Sequence, residues 1–165
     1  MGDLRDEYLL NLEALHLTSE RVQAAYKGDR IEAAAIETHF GLHAVYDLHE
    51  AYFKHHNIAT IALQDDHLEA SGGQSVGALA LARGARTHNL VTVARTGGFG
   101  DLPYGMGPYG GGWIWKEHTW NSEKFTRRAC WYDERVRWRY LHNPLDDAWA
   151  WFLDRIPAAE DDTSG

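Results

Sequence analysis

A helical stripe between residues 29 and 54 constrains the fold of this chain more than any other sequence feature. Its members recur in alternating steps of four and three residues, the period of one face of an α-helix. They are Ile31, Ala35, Thr38, Leu42, Val45, His49 and Tyr52. Such a stripe is stable only when other helices remove it from water. His49 lies within it, which predicts a buried, hydrogen-bonded histidine.

Two more helices are predicted in the first 94 residues, and the segment over residues 55–74 is ambiguous. Residues 4–26 carry leucines at helical spacing, and one interpretation of the ambiguous segment is a short helix over residues 58–68. Ser75 is a candidate cap for a helix over residues 76–94. These segments are joined by short polar or glycine-containing connections, as is usual in a helical bundle.

Two helices are predicted after residue 120. The first covers residues 122–138, and the second runs from Asn143 to about Ile156, with Asn143 as its cap and Pro144 in its first turn. The sequence therefore predicts an all-α fold, a helical bundle of about five helices.

Glycine interrupts the helical pattern over residues 96–112, TGGFGDLPYGMGPYGGG, which contain eight of the sixteen glycines of the chain. This window predicts a Gly-rich loop or a short hairpin, inserted near residues 96–116. Its G-x-G-x-x-G pattern lacks the flanking strand and helix that a dinucleotide site requires, so no cofactor is expected. We expect a single helical domain over residues 1–157 and a disordered acidic tail over residues 158–165.

The cysteine content and the distribution of apolar residues indicate the cellular compartment of the protein. The chain has one cysteine, Cys130, and its acidic first residues lack the apolar core of a signal peptide. No apolar stretch approaches the roughly 20 residues of a membrane-spanning helix. These features predict a cytoplasmic protein with no membrane association.

Charge is unevenly distributed along the chain. The net charge is −8, yet residues 73–140 carry ten basic and five acidic side chains. One interpretation is a positive surface on an acidic body, which suits one specific polyanion better than indiscriminate binding to nucleic acid. The other is ordinary variation among solvated charges.

Residues 80–91, ALARGARTHNLV, carry basic side chains and no acidic ones in an otherwise apolar segment. These polar residues are Arg83, Arg86 and His88. One interpretation is structural, with the arginines paired to acids of the preceding stripe helix such as Glu37 or Asp47. The other is chemical, and it follows from the spacing of the arginine and the histidine.

Arg83 and His88 spell R-x-x-x-x-H in a chain predicted to be all-α. This pattern resembles the signature of the HEPN family, small all-α proteins that include ribonuclease toxins and defence effectors. The resemblance implies a metal-independent endoribonuclease, a toxin or an anti-phage defence effector, with Arg83 and His88 as catalytic residues. It also implies a homodimer with RNA as its substrate.

The chemistry of the two side chains agrees with that activity. His88, with an unperturbed pKa near 6.5, can take the proton of a ribose 2′-hydroxyl, and Arg83 can hold the phosphate through two hydrogen bonds. Residues five apart on a helix point about 140° apart. A two-fold dimer through the helix over residues 76–94 would bring Arg83 of one chain to His88 of the other.

Residues 113–140 mix cations with tryptophans, a combination that suits unpaired RNA. Three arginines at seven- and four-residue steps predict a basic ridge, and together with Arg86 they are the candidate substrate-binding residues. The ridge residues are Arg128, Arg135 and Arg139. The alternative is that the tryptophans pack the bundle while the arginines are solvated.

Two other functions remain open from the sequence. The tryptophan-rich carboxyl third would suit a non-catalytic, antitoxin-like or scaffold protein that binds a cognate partner protein. Alternatively, His39, His43 and Asp47 follow one another at one-turn steps and are a reasonable ligand set for zinc or iron. The same side of the helix is also where a solvated polar face belongs.

Overall fold

The protein was analysed as a computed structural model that describes residues 4–86, 93–96, 112–120 and 123–158. The described residues form six α-helices and one antiparallel two-stranded sheet. The helices are α1 (Leu4–Lys27), α2 (Ile31–His55), α3 (Ile61–Ser71), α4 (Gln74–Arg86), α5 (Thr126–Arg135) and α6 (His142–Leu153). The strands are β1 (Val93–Thr96) and β2 (Gly112–Trp115). The all-α prediction is confirmed, with six helices in place of about five.

α1 and α2 form an antiparallel hairpin, and α4 lies at the centre of the bundle. α4 packs against α2, α5 and α6, so its first two turns are buried by the same chain. Gly77 allows α4 and α5 to approach each other closely, because a Cβ at this position would lie 2.7 Å from Cζ3 of Trp131. Little of the surface of α4 therefore remains exposed for the dimer contact that was expected through residues 76–94.

The helix predicted over residues 76–94 is too long at its carboxyl end. Described helical structure reaches Arg86, and Val93–Thr96 forms β1, which pairs with β2 in the register Val93↔Trp115 to Thr96↔Gly112. The pairing partner lies far along the chain, so the local Ala, Leu and Val pattern gave no sign of it. A short hairpin thus closes the ends of the glycine-rich window, whose residues 97–111 lie outside the described part.

Three helix boundaries also differ from the prediction. α3 begins three residues late, because the Thr60 hydroxyl accepts a hydrogen bond from the Leu63 amide at 3.4 Å and caps it. A 3-10 turn, Glu123–Phe125, precedes α5. α6 starts at His142, with Leu141 at its cap position, so the predicted cap role of Asn143 is wrong.

The segment between α5 and α6 explains why α5 ends before the predicted residue 138 and why α6 starts at His142. The Trp115 amide donates to the Arg139 carbonyl at 3.0 Å, the Trp138 amide to the Trp115 carbonyl at 2.9 Å, and the Leu141 amide to the Trp113 carbonyl at 3.3 Å. These bonds hold residues 136–141 against β2, so α5 ends early and α6 begins directly after the pairing.

Tryptophan mostly fills the core, in agreement with the packing interpretation. Trp113, Trp115, Trp131 and Trp151 are buried, and the Trp115 indole N–H donates to the Leu141 carbonyl at 3.1 Å. No helix within the described ranges is both long enough and apolar enough to cross a membrane. The acidic tail predicted over residues 158–165 falls, apart from Ala158, outside the described residues.

Candidate functional site

A cavity of about 1070 Å³ opens between α2, α3, α4, α5 and the segment that follows β2. Its volume lies at the upper end of the range in which proteins bind small molecules, roughly 300–1,000 Å³. Aromatic and apolar side chains form much of its wall, and several ionisable groups join them: His49, Glu50, Lys54, Arg83, His118 and Arg128.

Arg83 reaches this wall from the last turn of α4. Its guanidinium carbon lies 4.2 Å from the centre of the Tyr46 ring on α2, within cation–π distance. The Tyr46 hydroxyl in turn donates to a Glu50 carboxylate oxygen at 2.7 Å. The stacked ring fixes the direction of the guanidinium, which is half-buried beside the cavity.

Arg128 reaches the cavity from α5 and is held by a buried ion pair. Its Nε lies 2.6 Å from an Asp65 oxygen of α3, with only 5% and 6% of the two side chains exposed. Its Nη2 also donates to the Gln64 side-chain oxygen at 3.1 Å. Arg128 therefore ties α5 to α3 and is not a solvated cation.

His49 contributes a buried histidine to the same wall. It is buried as predicted, but within the described residues neither ring nitrogen has a hydrogen-bond partner. Burial, assisted by the nearby charge of Arg128, lowers the pKa of His49 to about 3. The imidazole is therefore neutral at physiological pH and carries one N–H and one unprotonated nitrogen.

Trp120 supplies a second buried polar group without a partner in the described part of the chain, the indole Nε1–H. Its ring is held edge-on by His118 at 4.3 Å and by Tyr132 at 5.2 Å between ring centres. Both His49 and Trp120 line the cavity, so one space is bordered by two polar side chains whose nitrogens have no hydrogen-bond partner among the described residues.

The predicted catalytic pair is only partly placed. Arg83 lies at the cavity, whereas His88 lies outside the described residues, as does the side chain of Arg86. Glu37, one suggested partner of the arginines, lies 3.8 Å from Arg21 of α1.

The predicted basic ridge is not continuous. Arg128 is buried in its ion pair, and Arg139 lies 2.5 Å from an Asp147 oxygen and donates to the Arg135 carbonyl at 2.9 Å. Arg135 remains exposed. The seven- and four-residue steps predicted one side of a continuous helix, but α5 ends at Arg135, so Arg139 lies outside it. The spacing also carried no information about which acids of α3 and α6 pack there.

The suggested metal ligands are not brought together. The rings of His39 and His43 meet edge-on with centres 4.5 Å apart, while Asp47 is exposed farther along α2. Within the described part of the chain, no group of three His, Cys, Asp or Glu side chains is placed to hold a metal ion.

Sequence reasoning missed Tyr46 as a site residue, included Trp120 only among the tryptophans of residues 113–140, and treated His49 as core alone. The helical stripe correctly buried His49, but nothing in the local pattern showed that α5 and the segment after β2 leave a cavity beside it. Comparison of the chain with protein-family models, curated proteins and solved structures finds no match. The described residues form an all-α fold with a two-stranded antiparallel sheet and a cavity lined by aromatic and cationic side chains.

Proposed function

We propose that this protein is a metal-independent endoribonuclease that acts as a homodimer, with Arg83 and His88 as its catalytic residues. The observation that supports this proposal is the position of Arg83, held by the Tyr46 ring at the wall of a large cavity. A guanidinium presented in this way suits a phosphate group, whose oxygens accept two parallel hydrogen bonds.

The reaction requires no external reactant. His88 removes the proton of a ribose 2′-hydroxyl, the 2′-oxygen attacks the adjacent phosphorus, and the bond from phosphorus to the 5′-oxygen breaks as that oxygen gains a proton. Arg83 stabilises the negative charge that develops on the phosphate. The products are one strand with a 2′,3′-cyclic phosphate and one with a free 5′-hydroxyl.

The test is an RNA-cleavage assay in the presence of EDTA, with product ends identified by mass spectrometry. His88→Ala and Arg83→Ala are each expected to lower the rate at least about 100-fold, since proton transfer and charge stabilisation each contribute factors of that order. Arg21→Ala is the matched control, because Arg21 is an arginine of α1 that does not line the cavity.

Two results would contradict the proposal. One is cleavage by His88→Ala at the wild-type rate. The other is wild-type activity that EDTA abolishes, because a metal would then carry the reaction. The circular dichroism spectrum and unfolding midpoint of each variant establish that lost activity does not come from lost structure.

A non-catalytic interaction protein is the second candidate, and exposed apolar residues of α2 favour it. Ile36 and Phe40 lie one turn apart and are 54% and 55% exposed. In this case the purified chain cleaves no RNA, and a cognate protein or a second copy covers this face. Phe40→Glu would then weaken that association, and light scattering would report it as a lower mass.

A further inference from the structure

The strongest unexplained feature of the cavity is its pair of unsatisfied polar groups. Of the cavity-lining side chains, Arg128 is committed to Asp65, and the Gln64 amide donates to the Ile58 carbonyl at 3.2 Å. His49 and the Trp120 indole have no such partners among the described residues. A buried polar group left unpaired costs stability, so such groups in a site call for a ligand or a bound water.

The chemistry of these two groups restricts the ligand. A neutral imidazole and an indole N–H together offer donors and one acceptor without charge. Their complement is an uncharged polar edge that both accepts and donates, not a carboxylate or a phosphate. In the present side-chain positions the three nitrogens are covered, so each ring must rotate to present them to a ligand in the cavity.

The remaining walls indicate the shape of that ligand. Phe53, Phe125 and Tyr46 line the cavity with aromatic rings, which suit the two faces of a flat molecule. Lys54 is exposed and also lines it, as does half-buried Arg83, so positive charge borders the apolar interior. A flat polar ring that carries an anionic group fits this arrangement.

We infer that the cavity is a binding site for a nucleobase, with His49 and Trp120 as hydrogen-bond partners of the base edge and with Arg83 and Lys54 toward an attached phosphate. The base comes either from a free nucleotide or from an unpaired position of a nucleic-acid strand. This site shares Arg83 with the proposed ribonuclease, but it needs neither His88 nor any cleavage, so it goes beyond that activity.

The test is calorimetric titration of the full chain with each of the four nucleoside monophosphates and with short single-stranded DNA. Ribose 5-phosphate serves as the probe without a base. We expect at least one base-containing probe to bind, and ribose 5-phosphate to bind at least about tenfold more weakly. Binding of a monophosphate identifies a free nucleotide as the source, and binding of DNA alone identifies a strand.

Matched tryptophan variants locate the site. Trp120→Phe keeps an aromatic ring and removes the indole N–H, and it is expected to weaken binding about tenfold or more. Trp149→Phe is the control, because Trp149 stacks on His16 with ring centres 4.7 Å apart and does not line the cavity. His49→Phe is a second, independent variant with the same expected direction, and each variant is first checked for a wild-type unfolding midpoint.

Three outcomes overturn the inference. The first is no binding of any base-containing probe at millimolar concentration, which would leave water as the occupant of the cavity. The second is equal binding of ribose 5-phosphate, which would indicate a simple anion site. The third is wild-type affinity in folded Trp120→Phe and His49→Phe. Because DNA lacks the 2′-hydroxyl, none of these results depends on whether the protein cleaves RNA.

Discussion

Arg127 and Arg128 are neighbours in the chain, but their carboxylate partners place them in different surroundings. Arg127 lies 2.6 Å from an Asp66 oxygen at the surface, with 44% and 63% of the two side chains exposed. Arg128 makes an ion pair of the same length with Asp65 in the interior. The two pairs share one helix-to-helix contact, from α5 to α3, and differ in exposure to water.

We therefore predict that removing the negative charge of the buried acid destabilises the fold, whereas removing that of the exposed acid does not. Asp65→Asn is expected to lower the free energy of unfolding by about 3 kcal/mol, because the buried guanidinium loses its counter-charge. Asp66→Asn should leave the free energy of unfolding close to that of wild type, since water screens the exposed pair. Urea unfolding at pH 7 measures both, and equal values for the two variants would disprove the structural role of the buried pair.

His49 makes the stability of the fold depend on pH. Its pKa is about 3 in the folded protein, against an ordinary value of 6.5 for histidine, so between these values the unfolded chain binds a proton that the folded chain does not. The stabilisation from neutral His49 is complete above about pH 7 and is lost as the pH falls toward 3. At pH 5 the expected loss is about 2 kcal/mol relative to pH 7.5.

The control for this prediction is His49→Phe, which removes the titrating group and keeps a ring of similar size. Urea unfolding of both proteins at pH 7.5, 6 and 5 gives the two pH profiles, and the difference between them isolates His49 from the other titrating groups. Parallel profiles would show that His49 is not held neutral by burial.

At the scale of the element, α4 contains two glycines with opposite surroundings. A Cβ at Gly77 would lie 2.7 Å from the Trp131 ring, whereas a Cβ at Gly84 would meet nothing within 4 Å. Gly84→Ala is expected to raise the free energy of unfolding by up to about 1 kcal/mol, because alanine favours the helix. Gly77→Ala is expected to lower it by about 1–2 kcal/mol through overpacking. Thermal unfolding measures both, and stabilisation by Gly77→Ala would show that Trp131 moves freely.

The helices were predictable because their signal is local, whereas the site was not. The stripe of α2 placed Leu42, Val45 and His49 in the core correctly, since helical period alone determines that face. The predicted end of α4 was wrong because residues 93–96 form β1, which depends on pairing with residues far along the chain. Arg128 was predicted to be an exposed ridge residue from its spacing alone. Its buried partner, Asp65, lies on another helix, and the pattern of a single helix cannot show such a contact.

At the scale of the whole molecule, the proposed mechanism requires two chains. The buried face of α4 is covered by helices of its own chain, so a dimer through this region has only the carboxyl end of the helix and the residues that follow it. Arg83 lies at that end of α4, so a site shared between two copies would form there.

Mixed dimers test this arrangement directly. Arg83→Ala and His88→Ala are each expected to be inactive, but co-refolding them in equal amounts should restore about a quarter of the wild-type activity, because half the dimers are mixed and each has one intact site. Light scattering on the wild type should give about twice the 18.7 kDa mass of one chain. An active protein of single-chain mass, or no restoration on mixing, would rule out a shared site.

The register of the hairpin has a consequence for chain length. Thr96 and Gly112 are direct partners across the sheet, so the two ends of the connecting segment lie side by side. Replacement of residues 97–111 by Asn-Gly, a preferred two-residue hairpin connection, should therefore keep the unfolding midpoint within a few degrees of wild type. Thr96 and Gly112 are thus two fixed points between which connections of other lengths can be tested against the register of β1 and β2.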